Sequence, residues 1–268
     1  MATPARSGSE LAFAREWPNS RGMQPLAVQP GKRILRHFSA VGNWFWRHLS
    51  LFVIASGWTY SALRRWAPRE ISGWTLGHLF KIGLLKTAGT WVLVWLLLKH
   101  DGQKVSDLGL RKAQLKKSFL PGFLFGLVIF AVSNVFIPWI TQNWFSDSES
   151  VLTGNWFRSP VAIPVWIFLG LIAGGLTEEV SRAFVLTRFE RAFGRVGLII
   201  AIILSSVSFG IGHLYQGHGA AFSLGISGAL YALVYLRRRS CWEAVIAHAT
   251  FDTVGITILF CMYLRRSV

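Results

Sequence analysis

Charge disappears from this chain in long blocks. Ser118 to Ser146 is 29 residues without an ionised side chain, Ser159 to Thr177 is nineteen and Val196 to Leu236 is 41, while Ala244 to Leu264 carries only Asp252. A membrane-crossing helix needs about 17 to 25 mostly apolar residues. The 41-residue block is long enough for two such helices, and the glycines of "GHLYQGHG" at its middle supply a turn. Two earlier segments are shorter or interrupted. His48 to Leu63 has sixteen residues between Arg47 and Arg64, and Ile82 to Leu98 contains Lys86, whose long stem predicts snorkelling toward an interface. With an amphipathic piece after Arg182, the pattern predicts an all-α, polytopic membrane bundle of about seven or eight helices.

Composition agrees. The 268 residues are 52% hydrophobic and 15% charged, with thirteen Trp, more apolar surface than a water-soluble domain of this length buries. The partner this implies is the lipid bilayer. The net charge of +16 then reads as loops obeying the positive-inside rule. Basic residues gather at Lys99 to Lys117, Arg182 to Arg195 and Arg237 to Arg239, whereas "SDSES" at Ser146 to Ser150 is acidic, an alternation of inside and outside. No basic stretch outside the apolar segments is interleaved with stacking aromatics, which excludes nucleic acid. Residues 1–47 hold seven Lys or Arg against Glu10 and Glu16 with no apolar run. They read as a mobile cytoplasmic tail rather than a signal peptide, leaving 48–268 for the bundle. Cys241 and Cys261 lie twenty residues apart, ~30 Å along one helix, too far for a disulfide.

Polar residues at membrane depth are costly, and their default reading is a functional site. In "GLTEEVSRAF", Glu178, Glu179 and Arg182 follow an uncharged span. On a helix Arg182 shares a face with Glu178 and lies near Glu179, so one glutamate can be held as an ion pair while the other stays available as a general base. The bland alternative is an ordinary ion pair at a helix end. In "FGIGH", His213 closes an apolar stretch, where a hydrogen-bonded core histidine competes with a base or ligand. In "HATFD", His248 and Asp252 are four apart, on one face of the last helix, where the carboxylate can fix the imidazole's tautomer. The competing reading is a polar helix–helix contact. His218 follows the glycine turn and reads as a loop residue. Neither G-x-S-x-G nor H-E-x-x-H occurs near these residues. Together they supply a base for water, a second acid or base, and an oxyanion donor.

Glutamates, then Phe209 to His213, then His248 to Asp252, on successive apolar helices, resemble the CAAX protease and bacteriocin-processing (CPBP, or Abi) family of intramembrane endopeptidases, also called type II CAAX prenyl endopeptidase-like proteins. That family shows E-E-x-x-x-R, F-x-x-x-H and H-x-x-x-N in this order. "DLGLR" (Asp107 to Arg111), "RAFVLTRFERAFG" (Arg182 to Gly194), "GHLYQG" and "AVIAHATFD" are similar too. The resemblance runs from about residue 105 to 268.

It implies an intramembrane protease in which Glu178 and His213 activate water, His248 with Asp252 holds the oxyanion, and Arg182 fixes Glu179. The family is described both as metal-dependent and as glutamate proteases without metal. A divalent metal such as zinc, if present, falls to Glu178, His213 and His248. The implied substrate is a peptide or protein, lipidated or membrane-bound, and the implied location is a bacterial cytoplasmic membrane with the N-terminus cytoplasmic.

Two departures stand out. Arg182 is four residues after Glu178 where the family has five. Either Glu178 takes the second glutamate's place and the chain is inactive, or the missing residue lies between Glu179 and Arg182 and both glutamates keep their roles. The second is expected, since paired glutamates beside an apolar span are expensive without a use. The other departure is Asp252 where asparagine is frequent. An ionised aspartate cannot donate to an oxyanion, so it is expected to orient His248, which donates. Two further functions compete: a non-catalytic scaffold or immunity protein, favoured by the shortened motif, and a transporter with a Glu-His-Asp proton relay. The transporter predicts paired, interrupted helices in two related halves, which the sequence lacks.

Overall fold

The computed structural model describes His48, residues 75–145 and residues 162–266, all within one compact unit, Trp44–Val268. The basic N-terminal tail, the rest of the first apolar segment and the acidic "SDSES" loop lie outside the described residues. Every regular element described is helical. Five stretches are long and apolar enough to cross a membrane: Leu76–His100, Val105–Thr141, Ala162–Gly212, His218–Arg238 and Cys241–Met262. This is an all-α integral membrane bundle. The five described stretches do not test the expected count of seven or eight helices, since most of the first apolar segment lies outside the described residues and Ala162–Gly212 is itself broken at Gly194.

Helix α1 (Leu76–His100) starts at Thr75, whose Oγ1 accepts the His78 N–H at 3.2 Å, and closes with Lys99 and His100 in its last turn, where cations suit the helix dipole. At 1.5 Å per residue it is ~37 Å long, enough to span the ~30 Å hydrocarbon layer. One face buries Val94, Leu97 and Leu98. The opposite face exposes Leu85, Val92 and Trp95, as expected of side chains meeting lipid.

Helix α2 (Lys112–Ala131) continues through a π-helical turn, Val132–Phe136, into α3 (Ile137–Thr141). It packs along α7 (Cys241–Arg266) at backbone range. A Cβ on Gly122 would stand 2.8 Å from the Glu243 carbonyl oxygen, and one on Gly126 would stand 2.5 Å from that of Ala247. Gly122 and Gly126 are four apart, the small-residue spacing that lets membrane helices touch where no hydrophobic effect drives them together.

The third stretch runs from α4 (Ala162–Phe168) through a π-helical segment, Leu169–Leu176, into α5 (Thr177–Gly212). At Gly194 the chain leaves helical geometry, with φ 61° and ψ −145°, a conformation that favours glycine, so α5 is two helices joined at a kink. The amphipathic piece expected after Arg182 is the first half of α5. One face of it is core: Val180, Ala183, Phe184, Val185 and Leu186 are buried, together with Arg182 and Arg188, while Arg191 and Phe193 are exposed. The Arg182–Arg195 cluster is therefore not simply a cytoplasmic loop. Arg188 instead pairs with Asp101 at 2.9 Å, below α1.

The glycine turn falls where the sequence puts it. Helix α5 ends at Gly212, a single 3-10 turn covers Leu214–Gln216, and α6 (His218–Arg238) begins at His218. Helix α6 is tied to the π turn of α2 by hydroxyls: Ser223 donates to the Ser133 carbonyl, and Ser133 and Ser227 share a hydrogen bond. Both cysteines lie on α7 and are free, Cys241 buried and Cys261 exposed.

Candidate active site

The polar residues singled out in the sequence converge from the two halves of α5 and from α7. Glu178, Glu179 and Arg182 sit in the first turns of α5, His213 caps its far end, and His248 and Asp252 come from the middle of α7. The π-helical segment before α5 brings its glycines against α7. A Cβ on Gly174 would lie 2.5 Å from Asp252 Oδ2 and 3.5 Å from His248 Nε2. Only glycine leaves room there for the two side chains.

The adjacent glutamates part company. Glu179 points into the core, 1% exposed, and both its oxygens are engaged. Arg182 donates through Nε to Oε2 at 3.1 Å and through Nη2 to Oε1 at 3.3 Å, a bidentate pair. His248 Nδ1 also lies 2.8 Å from Oε1, so the ring nitrogen facing this carboxylate carries the hydrogen. Arg182 further sits over the rings of Phe209 and Tyr231, 5.0 and 5.9 Å from their centroids. The three-residue spacing from Glu179 to Arg182 thus makes a direct contact.

Glu178 turns the other way. Its Oε1 accepts from Lys86 Nζ at 3.0 Å, and Lys86 comes from α1. The Lys86 ammonium, half-exposed, thus reaches the glutamate of the first motif, a contact that the snorkelling expected of it did not include. Trp91, also on α1, donates through Nε1 to Thr177 Oγ1 at 3.2 Å. The two carboxylates avoid competing for one cation because each has its own.

His213 Nδ1 lies 2.8 Å from the Phe209 carbonyl oxygen, four residues earlier. A carbonyl only accepts, so Nδ1 carries the hydrogen and the Nε2 lone pair of the neutral ring is left for other work. Burial pulls the imidazole below its ordinary 6.5, opposed by the nearby Glu178 charge.

His248 is held between two aromatic rings and the Glu179 carboxylate. It stacks on Tyr231 at 4.5 Å with 7° between the planes, and Phe209 meets it edge-on at 5.5 Å. Asp252 Oδ2 is 3.6 Å from His248 Nε2, beyond hydrogen-bonding distance, so the carboxylate that orients the ring directly is Glu179.

Glu178, His213, His248 and Asp252 all line one cavity of about 540 Å3, whose other walls include Phe130, Trp166, Leu169, Phe251 and Leu259. Its size and mostly apolar lining with a few convergent polar groups are those of a ligand site. Glu179 and Arg182 stand behind its wall. His218 is not among its lining residues.

A zinc set of Glu178, His213 and His248 does not fit this arrangement. The Glu178 carboxylate is engaged by an ammonium, and no group of three His, Cys, Asp or Glu side chains among the described residues is placed to hold a metal ion.

Residues 160–254 match the family model for type II CAAX prenyl endopeptidase Rce1-like proteins. This is the family to which the order of the three motifs pointed, and the matched stretch holds Glu178, Glu179, Arg182, His213, His248 and Asp252. At the level of family, the Rce1-like region supports an intramembrane endopeptidase. No curated protein and no solved structure matches the chain.

Four features of the site escaped sequence reasoning. Lys86 and Trp91 lie about 90 residues before the motif they contact, on a segment that reads only as apolar. Tyr231 and Gly174 carry no motif and matter only through what they touch. Of the four, Lys86 left the one usable trace, as the sole charge inside an otherwise apolar stretch from Ile82 to Leu98.

Proposed function

We propose that this protein hydrolyses a peptide bond within or at the edge of the bilayer, using water activated by Glu178 and His213. The observation that carries this reading is the division of labour between the adjacent glutamates: Glu179 is consumed by Arg182 and His248, while Glu178 shares the cavity with His213. Glu178 and the bare Nε2 of His213 take a proton from water, and the hydroxide attacks the scissile carbonyl carbon. His248, fixed through Nδ1 by Glu179 and stacked on Tyr231, turns Nε2 toward the cavity and donates from it to the oxyanion. The proton first taken from water then goes to the leaving amine. Asp252 stands beside Nε2 and favours a second hydrogen there, which makes the ring an imidazolium able to donate, while Glu179 orients it. Arg182 touches no substrate and acts by holding Glu179.

The substrate is a peptide or protein held against the membrane. A prenylated C-terminus, as the family's name describes, a membrane peptide or a leader peptide all suit an apolar cavity with a hydrolytic corner. The bilayer is a bacterial cytoplasmic membrane, with the basic N-terminus on the cytoplasmic side. Exclusion of bulk water from such a cavity strengthens every charge inside it.

The test is cleavage of a fluorogenic peptide library, with farnesylated C-terminal peptides included, by purified protein in detergent. Glu178→Gln and His213→Ala variants and a chelator arm run beside it. Turnover lost in both variants and kept with chelator supports the mechanism. Turnover lost to the chelator and restored by a divalent ion would replace it with a metal-dependent one. Cleavage by folded wild-type protein no greater than by the variants, on every substrate, would favour the non-catalytic scaffold for which the shortened motif speaks.

A further inference from the structure

A second depression lies away from the cavity, where α6 gives way to α7. It is lined by Gln114, Lys117 and Ser118 of α2 and by Arg238 and Ser240 opposite. Arg239 between them adopts left-handed backbone, φ 51° and ψ 38°, so α6 ends and α7 begins within two residues. The Ser118 and Ser240 hydroxyls, both on buried residues, are 2.9 Å apart and join the two walls.

The charges do not balance there. Glu243, 0% exposed, is the one carboxylate among the described residues in ion-pair range of Arg237 and Arg238. Its Oε1 takes Arg237, and its Oε2 is 3.9 Å from Arg238 Nη1. One arginine charge is therefore left over, and Lys117 adds a second, with no carboxylate in ion-pair range of it among the described residues. Gln114 Oε1 is buried with no hydrogen-bond partner among the described residues. A ligand suited to these groups brings negative charge to the two cations and a donor to the amide oxygen.

The surroundings narrow the class. The depression sits toward the ends of three helical stretches long and apolar enough to cross a membrane, where the uncharged block from Ser118 gives way to charged residues. From it, α2 presents Leu115, Phe119 and Leu120 outward, 40%, 62% and 63% exposed. Basic pockets between helices at a membrane surface, with an apolar face running into the bilayer, match a lipid whose charged head and acyl tails share that axis.

We propose that this depression binds an anionic glycerophospholipid with a hydroxyl-bearing headgroup, its phosphate between Lys117 and Arg238, a headgroup hydroxyl donating to Gln114 Oε1, and its chains along Leu115, Phe119 and Leu120.

Native mass spectrometry of the full-length protein from mixed micelles of phosphatidylglycerol and phosphatidylcholine tests this. Wild type is expected to retain phosphatidylglycerol over phosphatidylcholine. Lys117→Gln/Arg238→Gln is expected to lose retention by on the order of five-fold per charge removed, whereas Lys99→Gln/Lys104→Gln, an equal charge change elsewhere, keeps it. Gln114→Leu, which leaves all charges in place, should lower the preference for phosphatidylglycerol over phosphatidic acid. A thermal-shift arm adds soluble glycerol phosphate: stabilisation by the lipid alone is expected. Equal retention in the two double variants would overturn the site. Equal stabilisation by glycerol phosphate would make it an aqueous anion site instead, and an unchanged headgroup preference in Gln114→Leu would remove the hydroxyl contact.

Discussion

Lys86 Nζ lies 3.0 Å from Glu178 Oε1, joining α1 to the first residue of the glutamate motif from outside the stretch that matches the family. The lysine is half-exposed, 51%, and pairs of that kind add little to stability, about 1 kcal/mol or less. Its contribution is expected to show in activity. Lys86→Met should unfold at nearly the wild-type temperature while losing on the order of 10- to 100-fold in kcat/KM, the range for groups that orient a reacting side chain. Lys86→Arg, which keeps the charge, should recover part of the loss. Differential scanning fluorimetry beside peptide cleavage reads both, and full activity in Lys86→Met would remove Lys86 from the mechanism.

The Glu179–Arg182 pair has the opposite character. Both side chains are almost wholly buried, so removing Arg182 leaves Glu179 with only the His248 ring to offset its charge. Arg182→Met is expected to destabilise the bundle by about 3 to 5 kcal/mol. Adding Glu179→Gln removes the stranded charge, so the double variant should unfold at a higher temperature than Arg182→Met alone. A double variant no more stable than that single one would mean the two side chains are not energetically coupled.

Acid should act through His213. Burial holds this imidazole below 6.5, so the folded protein binds its proton less readily than the unfolded chain does. Stability from this group is complete above about pH 6.5 and falls away as pH drops from there through the lowered native value. The base is lost over the lower part of that window. Cleavage rates should therefore be level from pH 7 upward and decline on the acid side. The acid-side drop in unfolding temperature should be smaller in His213→Gln, and an identical drop in that variant would assign it to another group.

Tyr231 separates stacking from hydrogen bonding. Its ring lies flat on His248, but its buried hydroxyl has no hydrogen-bond partner among the described residues. Tyr231→Phe is expected to match or exceed wild type in stability, because it removes an unpaired polar atom. Tyr231→Ala, which leaves a cavity beneath His248, should cost about 3 to 5 kcal/mol and most of the activity. A large loss on Tyr231→Phe would show that the hydroxyl acts during the reaction.

Much of the site was legible along the chain because membrane burial makes polarity conspicuous. A carboxylate or imidazole in an apolar helix is costly enough that Glu178, Glu179, His213, His248 and Asp252 stood out without coordinates. One assignment did not survive packing. The basic cluster from Arg182 reads as a cytoplasmic loop, yet Arg182 and Arg188 are buried, because each found a carboxylate partner inside the bundle. The spacing of four does bring Asp252 to 3.6 Å from His248, but the shorter contact is with Glu179, sixty-nine residues away, which no local pattern reveals.

The sequence by itself determined the solvent and the inventory. Uncharged blocks of span length dictate helices in a bilayer, because a backbone in lipid must satisfy its own hydrogen bonds, and the three motifs in order dictate which polar groups those helices carry. Only the tertiary structure decided which of two neighbouring glutamates faces the cavity, that Lys86 reaches it, and that Glu179 holds His248. Those outcomes depend on the rotation of α5 between α1 and α7, fixed by close backbone packing and a π-helical segment whose effect no local pattern of residues encodes.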